Sequence, residues 1–341
     1  MTVVTEKKEK NQSVELCRLA AAIAVVFLHT PVPEPLGGWI NCLARFAVPF
    51  FFMVSGYYSL NRDSDWVKQR LIRVLKLNLY ASVLYCLWKY RKIQGSVLAF
   101  LHEQVFRKGI LMDWLLRHIN PMAGHLWFLA ALVPCYFGLW LYVRFRKGKD
   151  NRPLYLMGFF LMWVYFALAF LLPVSGVTIP YETCRNGWFL GLPLFLMGMF
   201  LHEHEKTIVE KFHLTTRKLV LLTLAGLLLS LMQWRSYGTS EIFLGTIPEM
   251  IGLMLLLTAH PVLPGKHLKR ITPRLGRIST VIYVIHMLLL EAYERNLLPW
   301  TEGFLGPWEV WLRPVFIAAA SLAVAVAWDW LLSRIPKFKR V

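Results

Sequence analysis

Residues 14–30 read Val14-Glu-Leu-Cys-Arg18-Leu-Ala-Ala-Ala-Ile-Ala-Val-Val-Phe-Leu-His29-Thr30. Arg18 and His29 stand eleven steps apart, which on an α-helix is about 1100°, or three turns plus roughly 20°. They therefore share one face, about 16 Å apart along the axis. A charge at bilayer depth costs several kcal/mol. A run this apolar with a cation and an imidazole on one side belongs to a membrane bundle, with that side turned inward to line something polar.

The rest of the chain has the same character. Of its 341 residues 57% are hydrophobic and only 17% charged, and its mean hydropathy is +0.48. That is the composition of a membrane protein. Runs able to span about 30 Å of hydrocarbon fall near residues 14–34, 40–60, 75–90, 123–143, 153–172, 186–201, 218–234, 243–260, 277–293 and 311–333. The expectation is an all-α polytopic transmembrane helix bundle of about ten helices. A polar, basic tail (1–13) precedes the transmembrane domain (14–333) and a second basic tail (334–341) follows it. The first run is read as a retained helix, because no small-residue cleavage site follows it. No internal repeat, low-complexity tract or linker to an appended soluble domain is evident.

A net charge of +18 and a pI near 9.9 would suggest nucleic-acid binding in a soluble protein. Here the basic residues lie in short segments between apolar runs, where they set orientation; no nucleic acid is expected. With the N-terminus inside, 26 of the 38 Lys and Arg fall in inside segments and 10 outside, favouring N-in and C-in. The segment 89–121 breaks the bias, and its Phe100, Phe106 and Trp114 suggest an amphipathic or re-entrant element on the outer face. The five cysteines, odd in number and widely spaced, read as small buried hydrophobes with no metal-binding spacing.

Several residues can carry chemistry. Neutral imidazole removes a proton from a hydroxyl near neutral pH, so His29 is the candidate catalytic base and Arg18 its partner. Glu249, a carboxylate deep in an apolar run, is expected to pair with an arginine such as Arg45 or Arg18. His125, beside Trp127, belongs either to an interfacial aromatic belt or to an acceptor site. His286 is either a hydrogen-bonded core residue or part of the site. Arg70 and Arg73, three apart on one helical face of an inside segment, are either positive-inside anchors or a phosphate grip. The run His202-Glu-His204-Glu alternates in a way that suits no zinc site and is expected to be a solvated loop; no metal is expected.

The set Arg18-x10-His29, Arg45-Phe-Ala-Val-Pro-Phe-Phe-Phe-Met-Val-Ser-Gly-Tyr-Tyr58, Arg70-Leu-Ile-Arg73, His125-Leu-Trp-Phe-Leu129 and Ser279-Thr-Val-Ile-Tyr-Val-Ile-His286, in this order, resembles the integral membrane acyltransferase 3 family over residues 14–333. The resemblance implies a membrane O-acyltransferase of the bacterial inner (plasma) membrane, surrounded by lipid. It would move an acyl group, acetyl foremost, from cytoplasmic acyl-CoA to a hydroxyl of an envelope carbohydrate or small acceptor. It makes His29 the base, places Arg18 toward the donor, and gives Arg70 and Arg73 the CoA phosphates. Arg45, His125, Glu249 and His286 would bind substrate. Where many members have an acidic stretch before helix two, this chain has Ala44-Arg45-Phe-Ala-Val-Pro49. That form, with Arg185-Asn-Gly187, also resembles the membrane half of vancomycin-resistance serine racemases, without their soluble racemase domain. An alternative follows: a transporter of a small amino acid such as L-serine.

Overall fold

The structure, a computed structural model, describes residues 11–91, 96–106, 108–146, 150–177, 179–261 and 266–335. The ends of both basic tails, 1–10 and 336–341, lie outside the described residues. Helices account for all of the regular structure among the described residues. Eight are long and apolar enough to cross a membrane by length and composition. All ten runs marked from the sequence fall on helix; the two outside those eight are Leu192–Lys211 and the shorter Thr246–Ala259.

The chain divides into two compact units. The first contains Met1–Ala47, Lys206–Met232 and Gly245–Val341; the second contains Val48–Glu205 and Gln233–Leu244.

In the first unit, α1 (Gln12–His29) starts where the Asn11 side chain accepts from the Val14 N–H at 3.2 Å and stops before Pro31 and Pro33. A side-chain acceptor at that position satisfies one of the helix's orphan donors. A short helix, α2 (Leu36–Ala44), follows, leading into α3 (Ala47–Tyr57), which begins at the border of the second unit. The other first-unit helices are α9 (Thr216–Tyr237, as far as Met232), α10 (Thr246–Ala259), α11 (Lys266–Asn296), α12 (Leu298–Leu305) and α13 (Glu309–Arg334). Glu15 meets Gly276 near one end of the α1/α11 seam, and His29 meets His286 further along it, so the two helices run in the same direction. Arg277 pairs with Asp329, while Tyr293 reaches Glu309, so α13 runs antiparallel to α11. Gly226 faces Glu249, and Gly252 faces Thr223, so α9 and α10 are antiparallel. These directions agree with the alternation that ten crossings require of the first, seventh, eighth, ninth and tenth runs.

The second unit takes most of α3, then α4 (Ser64–Tyr90), α5 (Val97–Gln104), α6 (Trp127–Phe145), α7 (Arg152–Phe166, prolonged by a π-turn to Val174) and α8 (Leu192–Lys211, as far as Glu205). Asp63 caps α4 by accepting from the Trp66 N–H at 2.7 Å. The buried residues of α4, namely Val67, Leu71, Asn78, Ala81 and Tyr85, recur at helical spacing, while Leu79, Tyr80 and Leu87 stay exposed. One packed stripe and one apolar outer face is the pattern of a helix against lipid. Backbones approach closely where α3 meets α8. A Cβ on Gly56 would stand 1.8 Å from the Phe195 carbonyl oxygen, and one on Gly198 2.0 Å from that of Met53. The segment after α4 forms α5 and a turn over Ile110–Arg117, so the expected amphipathic segment is helical.

Candidate active site

The first unit brings two candidate residues together. His29, on the last turn of α1, has its ring centroid 5.2 Å from that of His286 on α11, with the planes tilted by 36°. His286 is fully buried. Its Nδ1 lies 2.9 Å from the Tyr283 carbonyl oxygen and 3.2 Å from that of Ile282. A carbonyl only accepts, so Nδ1 carries the proton, and in the neutral ring Nε2 holds the lone pair. The core hydrogen bond foreseen for His286 is present, and it supports the ring that touches His29. The next residue, Thr30, ties the end of α1: its hydroxyl donates to the Val26 carbonyl at 2.7 Å.

Arg18 faces the same helix one end lower. Its Nη1 donates to Glu15 Oε1 at 3.0 Å, and that carboxylate is buried. Gly276 makes room for both: a Cβ there would meet Glu15 Oε2 at 2.7 Å and Arg18 Nη1 at 3.4 Å. Between Arg18 and His29 on the shared face sit Ala22 and Val25, both buried. The face is thus polar at its two ends and apolar between them. Arg18 pairs with Glu15 rather than with Glu249, which reading the sequence had offered it. Glu15 and Gly276 were missed, although the Glu15/Arg18 spacing of three is a helical ion-pair signal.

Glu249 is buried in the α9/α10 seam, its backbone against Gly226, and Arg45 donates through Nε to Asn41 Oδ1 at 3.1 Å. A second arginine–carboxylate fork, also missed, lies at the start of α13. Arg313 Nε and Nη2 donate to Glu309 at 2.8 and 2.6 Å, and the Tyr293 hydroxyl donates to the same carboxylate at 2.8 Å.

In the second unit, Arg70 and Arg73 are exposed on α4. The Arg70 guanidinium lies 4.8 Å from the Trp66 ring, which Arg62 also approaches at 5.0 Å. These are accessible cations of the kind that grip phosphate. His125 lies on the turn Gly124–Leu126, buried, with its ring edge-on to Tyr85 at 5.0 Å. An interfacial belt position is wet, so this histidine is part of the packed interior of its unit.

The run 202–205 is also corrected. It lies on α8, where His202 stacks on Tyr57 at 4.1 Å and 10°, and Glu205 accepts from the Tyr57 hydroxyl at 2.7 Å. Glu203 accepts from Asn151 at 2.8 Å and from the Tyr155 hydroxyl. The run is therefore helical and packs on α3 and α7, half-buried except for the exposed Glu203. No group of three or more metal-ligating side chains is found among the described residues.

With this geometry in place, comparison with known proteins decides the family. The family model described as an acyltransferase domain matches residues 11–330. The chain belongs to the acyltransferase 3 family. This acyltransferase 3 chain is also similar to a serine/alanine racemase of Enterococcus gallinarum, 28% identical over 310 residues that cover 81% of this chain and 40% of the racemase. An amino-acid racemase of Enterococcus faecalis is 24% identical over 276 residues, 74% of this chain and 36% of its own length. The chain therefore spans 40% or less of the length of these relatives. No solved structure matches it.

Proposed function

We propose that this protein is a membrane O-acyltransferase that takes an acyl group, acetyl foremost, from cytoplasmic acyl-CoA and esterifies a hydroxyl of an envelope carbohydrate or related acceptor in a bacterial plasma membrane. The observation that carries the reading is the His29–His286 contact inside a unit of an acyltransferase 3 chain. In that role His29 takes the proton of the acceptor hydroxyl while its oxygen attacks the acyl carbonyl. The ester forms, and the thiol of CoA leaves with a proton. His286, held through Nδ1 by the Tyr283 carbonyl, fixes the plane that His29 packs against. Arg18, neutralised in part by Glu15, orients the donor end of the same face. Arg70 and Arg73 hold the CoA phosphates; their exposure and charge suit that task.

The test is transfer of radiolabelled acetyl groups by purified, folded protein. His29→Ala is expected to abolish it, and retained transfer overturns the assignment of the base. Loss of acetyl-CoA binding in Arg70→Ala/Arg73→Ala is the expected companion result.

A second reading has one observation in its favour, the similarity to a serine/alanine racemase and an amino-acid racemase. Under it the chain moves a small amino acid such as L-serine across the bilayer without chemistry. Serine uptake into proteoliposomes in the absence of acyl-CoA, together with no binding of acetyl-CoA, would establish it in place of the first.

A further inference from the structure

Where the end of α7, residues 179–185 and residues 237–241 converge in the second unit, they line a part-open cavity of about 340 Å³, within the range of small-molecule sites. The distribution of Lys and Arg puts this end outside: residues 173–186 and 235–245 carry only Arg185 and Arg235, whereas residues 206–218, at the other end of the same helices, carry Lys206, Lys211, Arg217 and Lys218. Arg185 and Glu241 meet on the cavity wall, their nearest charged atoms 3.9 Å apart and both side chains mostly buried. The Arg185 guanidinium also lies 5.3 Å from the Trp127 ring. Tyr165 is buried, its hydroxyl oxygen fixed by the Ile242 N–H at 3.3 Å and within 3.4 Å of the Ser240 hydroxyl. Gly238, at φ +80, makes the turn that closes this side. A side chain would be strained there.

We propose that this cavity is the recognition site for a neutral polyhydroxyl molecule of the sugar class, which on the reading above is the acyl acceptor. The chemistry of the lining selects that class. A guanidinium offers only donors, and a carboxylate only acceptors. Side by side they match neighbouring hydroxyls, each of which donates and accepts. Their charges cancel, so a lone anion or cation would have to compete with the partner already present. A zwitterion would have to part the two groups in order to engage both. Phe170 and Tyr237, also in the lining, supply aromatic surface for the C–H face of a sugar ring. Burial holds the Cys184 thiol in the same wall above its ordinary pKa, so it stays protonated and is not a competing nucleophile.

The test uses the full chain in lipid nanodiscs, which avoid glycoside detergents, with calorimetric titration of N-acetyl-D-glucosamine, methyl β-D-glucoside and L-serine. Saturable binding of at least one sugar is expected, weakened tenfold or more by Glu241→Gln and by Tyr165→Phe. Thr239→Ala alters an exposed lining hydroxyl and serves where a buried variant fails to fold; it is expected to weaken binding several-fold. Absence of sugar binding overturns the proposal, as does sugar binding that none of the folded variants changes, or L-serine bound in place of sugar. Acetyl transfer is measured on the same preparation. Transfer without sugar binding overturns the cavity assignment alone, whereas variant-sensitive sugar binding without transfer upholds the cavity and overturns the acyltransferase reading.

Discussion

The ring of His29 at the end of α1 rests 5.2 Å from the ring of His286 on the parallel helix α11, and His286 is pinned by the carbonyl of Tyr283. If the two imidazoles act as one device, their effects on acyl transfer will not add. General-base removal costs about 10²–10⁴-fold, so His29→Ala should fall in that range. His286→Asn keeps a donor near the Tyr283 carbonyl but removes the ring, and should reduce transfer by less than His29→Ala. The double variant should be no slower than His29→Ala alone, as for groups that work together. Losses that multiply would mean that His286 acts independently.

The contact of α3 with α8 rests on hydrogen in place of methyl. Gly56→Ala would set a Cβ 1.8 Å from the Phe195 carbonyl oxygen, and backbone has little freedom to yield. Overpacking of this kind costs about 1–3 kcal/mol or more, so Gly56→Ala and Gly198→Ala should each lower the thermal midpoint in detergent by several degrees. Gly138→Ala is the matched control, since its Cβ would meet nothing within 4 Å in the middle of α6. Relief of glycine's entropy cost, roughly 0.5–1 kcal/mol, should leave that variant as stable as the parent or slightly more so. Equal destabilisation of all three would show that the close approach is not what these glycines provide.

Asp329 is buried to 6% side-chain exposure, with Arg277 Nη2 at 2.8 Å and Arg274 Nε at 3.8 Å. Both arginines are themselves exposed to 39% or more, so the pair is worth less than a fully buried one. Arg277→Ala should lower the melting temperature modestly, because Arg274 remains within reach. Arg274→Ala/Arg277→Ala strands the carboxylate and should cost more than the two single changes combined. Adding Asp329→Asn should restore part of the loss. Additive single effects, with no rescue, would place the contribution of the arginines elsewhere.

How much of this was legible beforehand follows the physics of each signal. Apolar runs fix where helices lie, because every backbone group in a bilayer must be bonded within its own segment; each run from 14–34 to 311–333 falls on helix. The shared face of Arg18 and His29 was legible from 3.6-residue periodicity, and both do turn toward α11. Their partners were not. Glu15 lies in the first turn of α1, and its burial depends on the absence of a side chain at Gly276, some 260 residues away, which no local pattern encodes. Likewise the burial of Glu309 depends on Tyr293 of α11 as well as on Arg313 four residues further on. His202 and Glu205 looked solvated because alternating polar residues suit a loop, whereas Tyr57 binds both from another helix.

The last prediction concerns pH. His118 ends the turn after Asp113–Arg117 with φ 56, is buried, and accepts the Gly187 N–H through Nδ1 at 3.1 Å. Burial lowers its pKa to about 4, below the ordinary value near 6.5. As the pH falls, the unfolded chain therefore takes up this proton before the folded one does. The contribution is fully present above about pH 6.5 and is lost progressively as the pH drops toward 4, amounting to about 3 kcal/mol at most. Carboxylates and other histidines titrate over the same range, so the measurement is a comparison. Thermal midpoints are followed from pH 7.5 to 4 for the parent and for His118→Asn, whose side chain tolerates the left-handed backbone and cannot be protonated here. The parent should lose more stability than the variant across the window. Parallel curves would mean that this imidazole is not held neutral by its burial.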